Sequence, residues 1–133
     1  MLVVSLGIYF GTGCANEAKM NESTLNVDHI SQDKFATEVI QSTNLVVVDF
    51  YATWCVPCRI LGPMVDRLAP AFTNNVKFVK VNIDESPALA QKYSVEEFPT
   101  LLFFKRGELT DRMLGLPDEI VLKTRLAAFA ADK

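Results

Sequence analysis

The run Leu45-Val46-Val47-Val48-Asp49-Phe50-Tyr51 is β-branched or aromatic almost throughout. A strand with one wet face alternates apolar with polar residues, whereas a strand covered on both faces does not. The run therefore predicts a central strand, and a sheet buried on both sides needs helices on each face. A single charge, Asp49, interrupts it. An ionised carboxylate is costly to bury, so Asp49 is either a strand-end residue in water or a group with chemistry to perform.

The rest of the chain supplies the helices. Ser31 reads as the N-cap of a helix after a short strand near Leu25–Asp28, with Ile30 stapled to Phe35, and with Phe35, Ala36, Val39 and Ile40 on one face. Leu61, Met64, Val65, Leu68 and Phe72 recur at helical spacing, so a second helix starts at or just after Cys55, and Pro63 inside it predicts a kink. A strand over Val76–Asn82 follows, then a short helix opened by Ser86 and Pro87. Thr100–Lys105 and Leu109–Leu114 flank Arg106-Gly107 as an antiparallel hairpin. A last helix, capped by Asp118, buries Leu122, Leu126 and Phe129. The order β-α-β-α-β-α-β-β-α calls for an α/β fold with parallel pairing first and an antiparallel hairpin added to the same sheet. With 133 residues, 50% hydrophobic and 22% charged, the chain suits one packed domain. The 13 basic residues form no run that could follow a phosphate backbone, which excludes nucleic acid as a partner.

Cys55 and Cys58 stand at the junction of the central strand and the second helix. As a staple the pair closes too short a loop to constrain the unfolded chain much. As a zinc site it lacks a second ligand pair, because Cys14 and His29 stand at no recognised spacing; no metal is expected. A redox couple fits better. At a helix N-cap the Cys55 sulfur faces unpaired amides and the positive end of the helix dipole, which favour the thiolate, so Cys55 is the expected nucleophile. Cys58, one turn later, is the expected resolving thiol and the more deeply placed of the two. Pro57 is tolerated in this first turn and stiffens it. Arg59 reads as a solvated helix position.

The stretches Asp49-Phe50-Tyr51-Ala52-Thr53-Trp54-Cys55-Val56-Pro57-Cys58, Lys80-Val81-Asn82-Ile83-Asp84 and Phe98-Pro99-Thr100-Leu101 resemble the successive signatures of the thioredoxin family. The resemblance runs from about Val27 to the C-terminus. It implies the thioredoxin fold, a central mixed five-stranded sheet flanked by four helices, and a protein disulfide reductase working by dithiol exchange without bound cofactor. It also implies that Asp49 lies buried behind Cys58 as its general base, with Lys80 tuning its charge. Pro99 would be cis against the disulfide, leaving the Phe98 backbone to pair with an extended substrate peptide. Gly115 would line the same groove, and Trp54, Val56 and Pro57 would shape its surface. Family members usually carry Gly where this chain has Val56, a β-branched residue that adds apolar surface beside the sulfur. A rival reading is a non-catalytic subunit of the same fold that binds a partner through the groove around Trp54 and Pro99.

Residues 1–23 read as a leader and 24–133 as the domain. Leu2–Phe10 is apolar but too short to span a bilayer, and suits the core of an export signal. Gly11-Thr12-Gly13-Cys14 resembles a bacterial lipoprotein signal, in which Cys14 would carry the lipid anchor. No Lys or Arg precedes the apolar run, and Gly11 stands where that signal has Leu. The alternative is a true start at Met20 and a cytoplasmic protein. The expected partners are protein disulfides and an electron donor: thioredoxin reductase in the cytoplasm, or a membrane thiol carrier for an envelope protein. A monomer is expected.

Overall fold

Leu45–Tyr51 forms the middle of a five-stranded sheet in a computed structural model that describes residues 27–132. The leader, Cys14, Met20, Leu25 and Asn26 lie outside the described residues. The strands are β1 (Asp28–His29), β2 (Leu45–Tyr51), β3 (Val76–Asn82), β4 (Thr100–Lys105) and β5 (Glu108–Leu114), in the spatial order β1-β3-β2-β4-β5. β3 pairs in parallel with β1 and β2, and β4 pairs antiparallel with β2 and β5. The helices are α1 (Gln32–Phe35), which continues as a π-helical turn over Ala36–Ile40, α2 (Val56–Leu68), α3 (Pro87–Lys92) and α4 (Glu119–Ala131). The mixed sheet, the four helices and their order are those the sequence predicts.

Alternation along β2 sorts its side chains to two cores. Leu45 and Val47 pack with Leu61 and Val65 of α2 and Leu122 and Leu126 of α4. Val46, Val48 and Phe50 pack with Phe35, Val39 and Leu89 on the other side. Every β2 residue before Tyr51 is buried, and each Val or Phe of this kind stabilises the fold by about 1.5–3 kcal/mol relative to exposure. By the same alternation Asp49 points toward α2 and α4, at the end of the strand where α2 begins.

Several local expectations change. Ser31 is the residue before α1, but its hydroxyl bonds the Asp33 carboxylate and caps no amide. Ala36 is exposed rather than on the buried face: it lies about 100° round the helix from Phe35, and only Phe35 and Val39 turn fully inward. α2 ends at Leu68 instead of reaching Phe72, because Pro70 lacks an amide donor and the chain tightens into a 3-10 turn over Ala69–Ala71. α2 runs on through Pro63. Ser86 precedes α3 but makes no side-chain cap. Asp118 does cap α4, its carboxylate accepting from the Ile120 amide at 2.9 Å. The β4–β5 turn places Arg106 at φ 50° and Gly107 at φ 80°, the left-handed pair of a two-residue hairpin. A Cβ on Gly107 would collide with the Ile40 carbonyl, so glycine is needed there twice over. No helix among the described residues is long and apolar enough to cross a membrane.

Candidate active site

Cys55 is the N-cap of α2, in extended backbone geometry, and is disulfide-bonded to Cys58 with Cα atoms 5.3 Å apart. Its Sγ also accepts a hydrogen bond from the Cys58 amide at 3.2 Å. The sulfur thus sits where first-turn amides lack helical partners, and the same donor can hold a thiolate once the disulfide opens. The expected difference in depth is not found: Cys55 is 5% exposed and Cys58 6%. Ring closure draws both sulfurs together over the first turn, against Ala52, Tyr51, Ile83 and Phe98. The two thiols are therefore distinguished by position on the helix rather than by access.

An apolar surface surrounds the disulfide. Trp54 is 59% exposed and Val56 64%. Pro57 is exposed beside Val56. The Trp54 indole stacks edge-on against Phe98 at 5.9 Å and donates Nε1–H to Asp84 at 2.9 Å. Asp84 is itself held by the Asn82 side chain, which accepts from its amide at 2.9 Å. The Phe98–Pro99 bond is cis. Pro99 is buried, and among the described residues Phe98 makes no backbone hydrogen bond. Gly115, at φ 73°, donates its amide to the Pro99 carbonyl at 2.8 Å, which ties the end of β5 to this turn. Arg59 is exposed as expected, yet it also grips the Thr53 carbonyl through Nε (3.3 Å) and a terminal nitrogen (3.0 Å). It braces the loop that carries Trp54 and Cys55.

Behind the disulfide lies a cavity of about 330 Å³, lined by Tyr51, Cys58, Arg59, Gly62, Asp66 and Lys80 among others. Asp49 is buried at 4% exposure, paired in register across β2 and β3 with Lys80, which lines the cavity. Desolvation pushes the Asp49 carboxyl up to about 7; Lys80 opposes the rise and Asp66 adds to it. Lys80 is half-buried with its ammonium 5.8 Å from the Tyr51 ring centre. The strand-end reading of Asp49 in water is thus excluded. A second depression, of about 360 Å³, lies between Asn44, Asn75 and Lys105 at the far end of β2 and β4, remote from the cysteines. Among the described residues no group of three His, Cys, Asp or Glu side chains could hold a metal ion.

Three residues were missed in the sequence. Asp84 ends the family-like stretch Lys80–Asp84, but its bond to Trp54 spans 30 positions. Asp66 has no local signature, and the bracing role of Arg59 depends on how the loop before Cys55 folds back. The thioredoxin family model matches residues 26–128. Thioredoxin 1 of Synechococcus elongatus is 43% identical over 74% of this chain and 88% of its own length. The chloroplastic thioredoxin M4 of Arabidopsis thaliana is 41% identical over 77% of this chain, which spans 53% of that relative. The crystal structure of a Malassezia sympodialis thioredoxin superposes with a TM-score of 0.71 at 36% identity, covering 78% of this chain and 90% of that one.

Proposed function

The chain belongs to the thioredoxin family and is a protein disulfide oxidoreductase acting through a redox-active cysteine pair, and from that premise we propose how its residues divide the reaction. The observation that carries the assignment is the Cys55 sulfur at the N-cap of α2, bonded to Cys58 and accepting the Cys58 amide. In the reduced protein the Cys55 thiolate attacks one sulfur of a substrate disulfide, forming a mixed disulfide and expelling the other substrate sulfur as a thiolate, which takes a proton. Asp49 accepts the Cys58 proton, and Cys58 then attacks Cys55. The Cys55–Cys58 bond forms, the bond to substrate breaks, and two electrons have passed to the substrate dithiol. A carboxyl that titrates near neutral pH can accept this proton and return it later. Lys80 moderates the charge on Asp49.

Substrate docks as an extended strand against Phe98, whose backbone is free of other hydrogen bonds among the described residues. Trp54, Val56, Pro57, Pro99 and Gly115 form the walls of the groove. Thiol-driven precipitation of insulin tests the assignment: wild type accelerates it over dithiothreitol alone, Cys55→Ser abolishes turnover, and Cys58→Ser accumulates a mixed disulfide. No acceleration by wild type would leave only the binding-subunit reading.

Thioredoxins require an electron donor that re-reduces the pair, and two donors fit two compartments here. We assign residues 24–133 to the domain and the preceding stretch to an export signal with a lipid on Cys14, which places the protein in the cell envelope with a membrane thiol carrier as donor. Support comes from the apolar Leu2–Phe10 run and from the family match starting at residue 26. Intact-mass analysis of native protein decides: a diacylated Cys14 terminus supports this, whereas a start at Met20 makes the protein cytoplasmic and its donor a thioredoxin reductase.

A further inference from the structure

Cys58, Gly62 and Asp66 follow one another at four-residue intervals, so they form one stripe along α2. All three line the cavity behind the disulfide, together with Lys80, the register partner of Asp49, and Tyr51, which shares the Asp49 face of β2. A Cβ on Gly62 would meet nothing within 4 Å, so the missing side chain leaves the space between Cys58 and Asp66 open. Asp49 and Asp66 each have a buried Oδ1 without a hydrogen-bond partner among the described residues. Two carboxylates with buried, unpaired oxygens are unusual, because buried polar atoms are nearly always bonded.

From this juxtaposition we propose that Asp66 is a positioning residue for the resolving step: it lines the same cavity as Cys58 and as Lys80, the register partner of Asp49, and its charge keeps the Cys58 proton on Asp49 rather than releasing it to water. This rests on Asp49 being the base for Cys58. In that step the proton leaves the Cys58 sulfur for Asp49 as the Cys55–Cys58 bond forms and the bond to substrate breaks. The proton then leaves Asp49 by way of the cavity, whose lining includes half-buried Asp66. Of the groups around Asp49, Lys80 is its register partner on β3 and Tyr51 shares its face of β2, Cys58 and Arg59 of α2 line the cavity with Lys80, and Leu101 of β4, its other register partner, is apolar. The like charge of Asp66 acts in the direction the proposal requires, raising the proton affinity of Asp49 against Lys80.

The test uses the oxidised full chain, in which Cys58 cannot titrate, and follows the Asp49 carboxyl carbon by NMR against pH. Asp66→Asn keeps the shape and removes the charge; Asp66→Glu keeps the charge. The Asp49 midpoint moves to lower pH in Asp66→Asn and stays near its wild-type position in Asp66→Glu. The acid limb of mixed-disulfide resolution shifts the same way. A midpoint unmoved by Asp66→Asn, or moved equally by both variants, overturns the proposal for Asp66. An Asp49→Asn variant whose resolution keeps the wild-type pH profile instead overturns the base role of Asp49, and that outcome is independent of the titration.

Discussion

Asp49, which we propose as the base for Cys58, lowers the stability of the fold near neutral pH. Its carboxyl is raised from 3.8 to about 7 by burial, so between those pH values the folded protein holds a proton that the unfolded chain has lost. Folding stability therefore falls as pH rises from about 4 to about 7, the reverse of the usual salt-bridged aspartate. A shift of about three units is worth on the order of 4 kcal/mol. Asp49→Asn should remove this dependence, raising the stability of the oxidised protein by up to about 4 kcal/mol at pH 8 and changing it little at pH 4. Urea unfolding at the two pH values checks the sign; an equal effect at both would mean that Asp49 does not carry the shift. Of the proposed site residues, Cys55 stood out because a second cysteine follows three positions later at a helix start, and Asp49 because it interrupts an apolar strand, its buried role coming from the family resemblance. Asp66 broke no local pattern, and only the packing of α2 on β2 gives it a meaning.

At the scale of elements, helix ends separate what is local from what is not. Asp118 satisfies an α4 amide, whereas the Ser31 hydroxyl turns to Asp33 instead. Asp118→Ala should cost about 1 kcal/mol, as loss of a working N-cap does, and Ser31→Ala a small fraction of that. Thermal unfolding of the two variants makes the comparison, and equal losses would refute the distinction. Both residues have the composition of a cap, so sequence alone reads them alike. The order of strands and helices, the start of α2 at the cysteines and the turn at Arg106-Gly107 were all readable, because periodicity and turn chemistry operate over a few residues. The end of α2 was misread because the apolar period continues to Phe72 while Pro70 breaks the backbone.

For the whole molecule, the sheet gives a gradient of protection. β2 is bonded on both sides and buried on both faces, whereas β5 is an edge strand with no fully buried side chain. Native-state hydrogen exchange should show β2 amides opening only with global unfolding and β5 amides several kcal/mol sooner, about the spread between core and periphery in small domains. Equal protection of the two strands would contradict this reading. The amino-acid sequence by itself determined the alternation of elements, the buried central strand and the cysteine pair at a helix start, since hydrophobic period, capping and helix polarity act between near neighbours. The tertiary structure decided which distant groups meet: Trp54 with Asp84, Arg59 with the Thr53 carbonyl, Asp49 with Lys80 across two strands, and Cys58 with Asp66 and Lys80 around one cavity. Those meetings depend on how α2 packs over the sheet, and desolvation and charge act through space rather than along the chain.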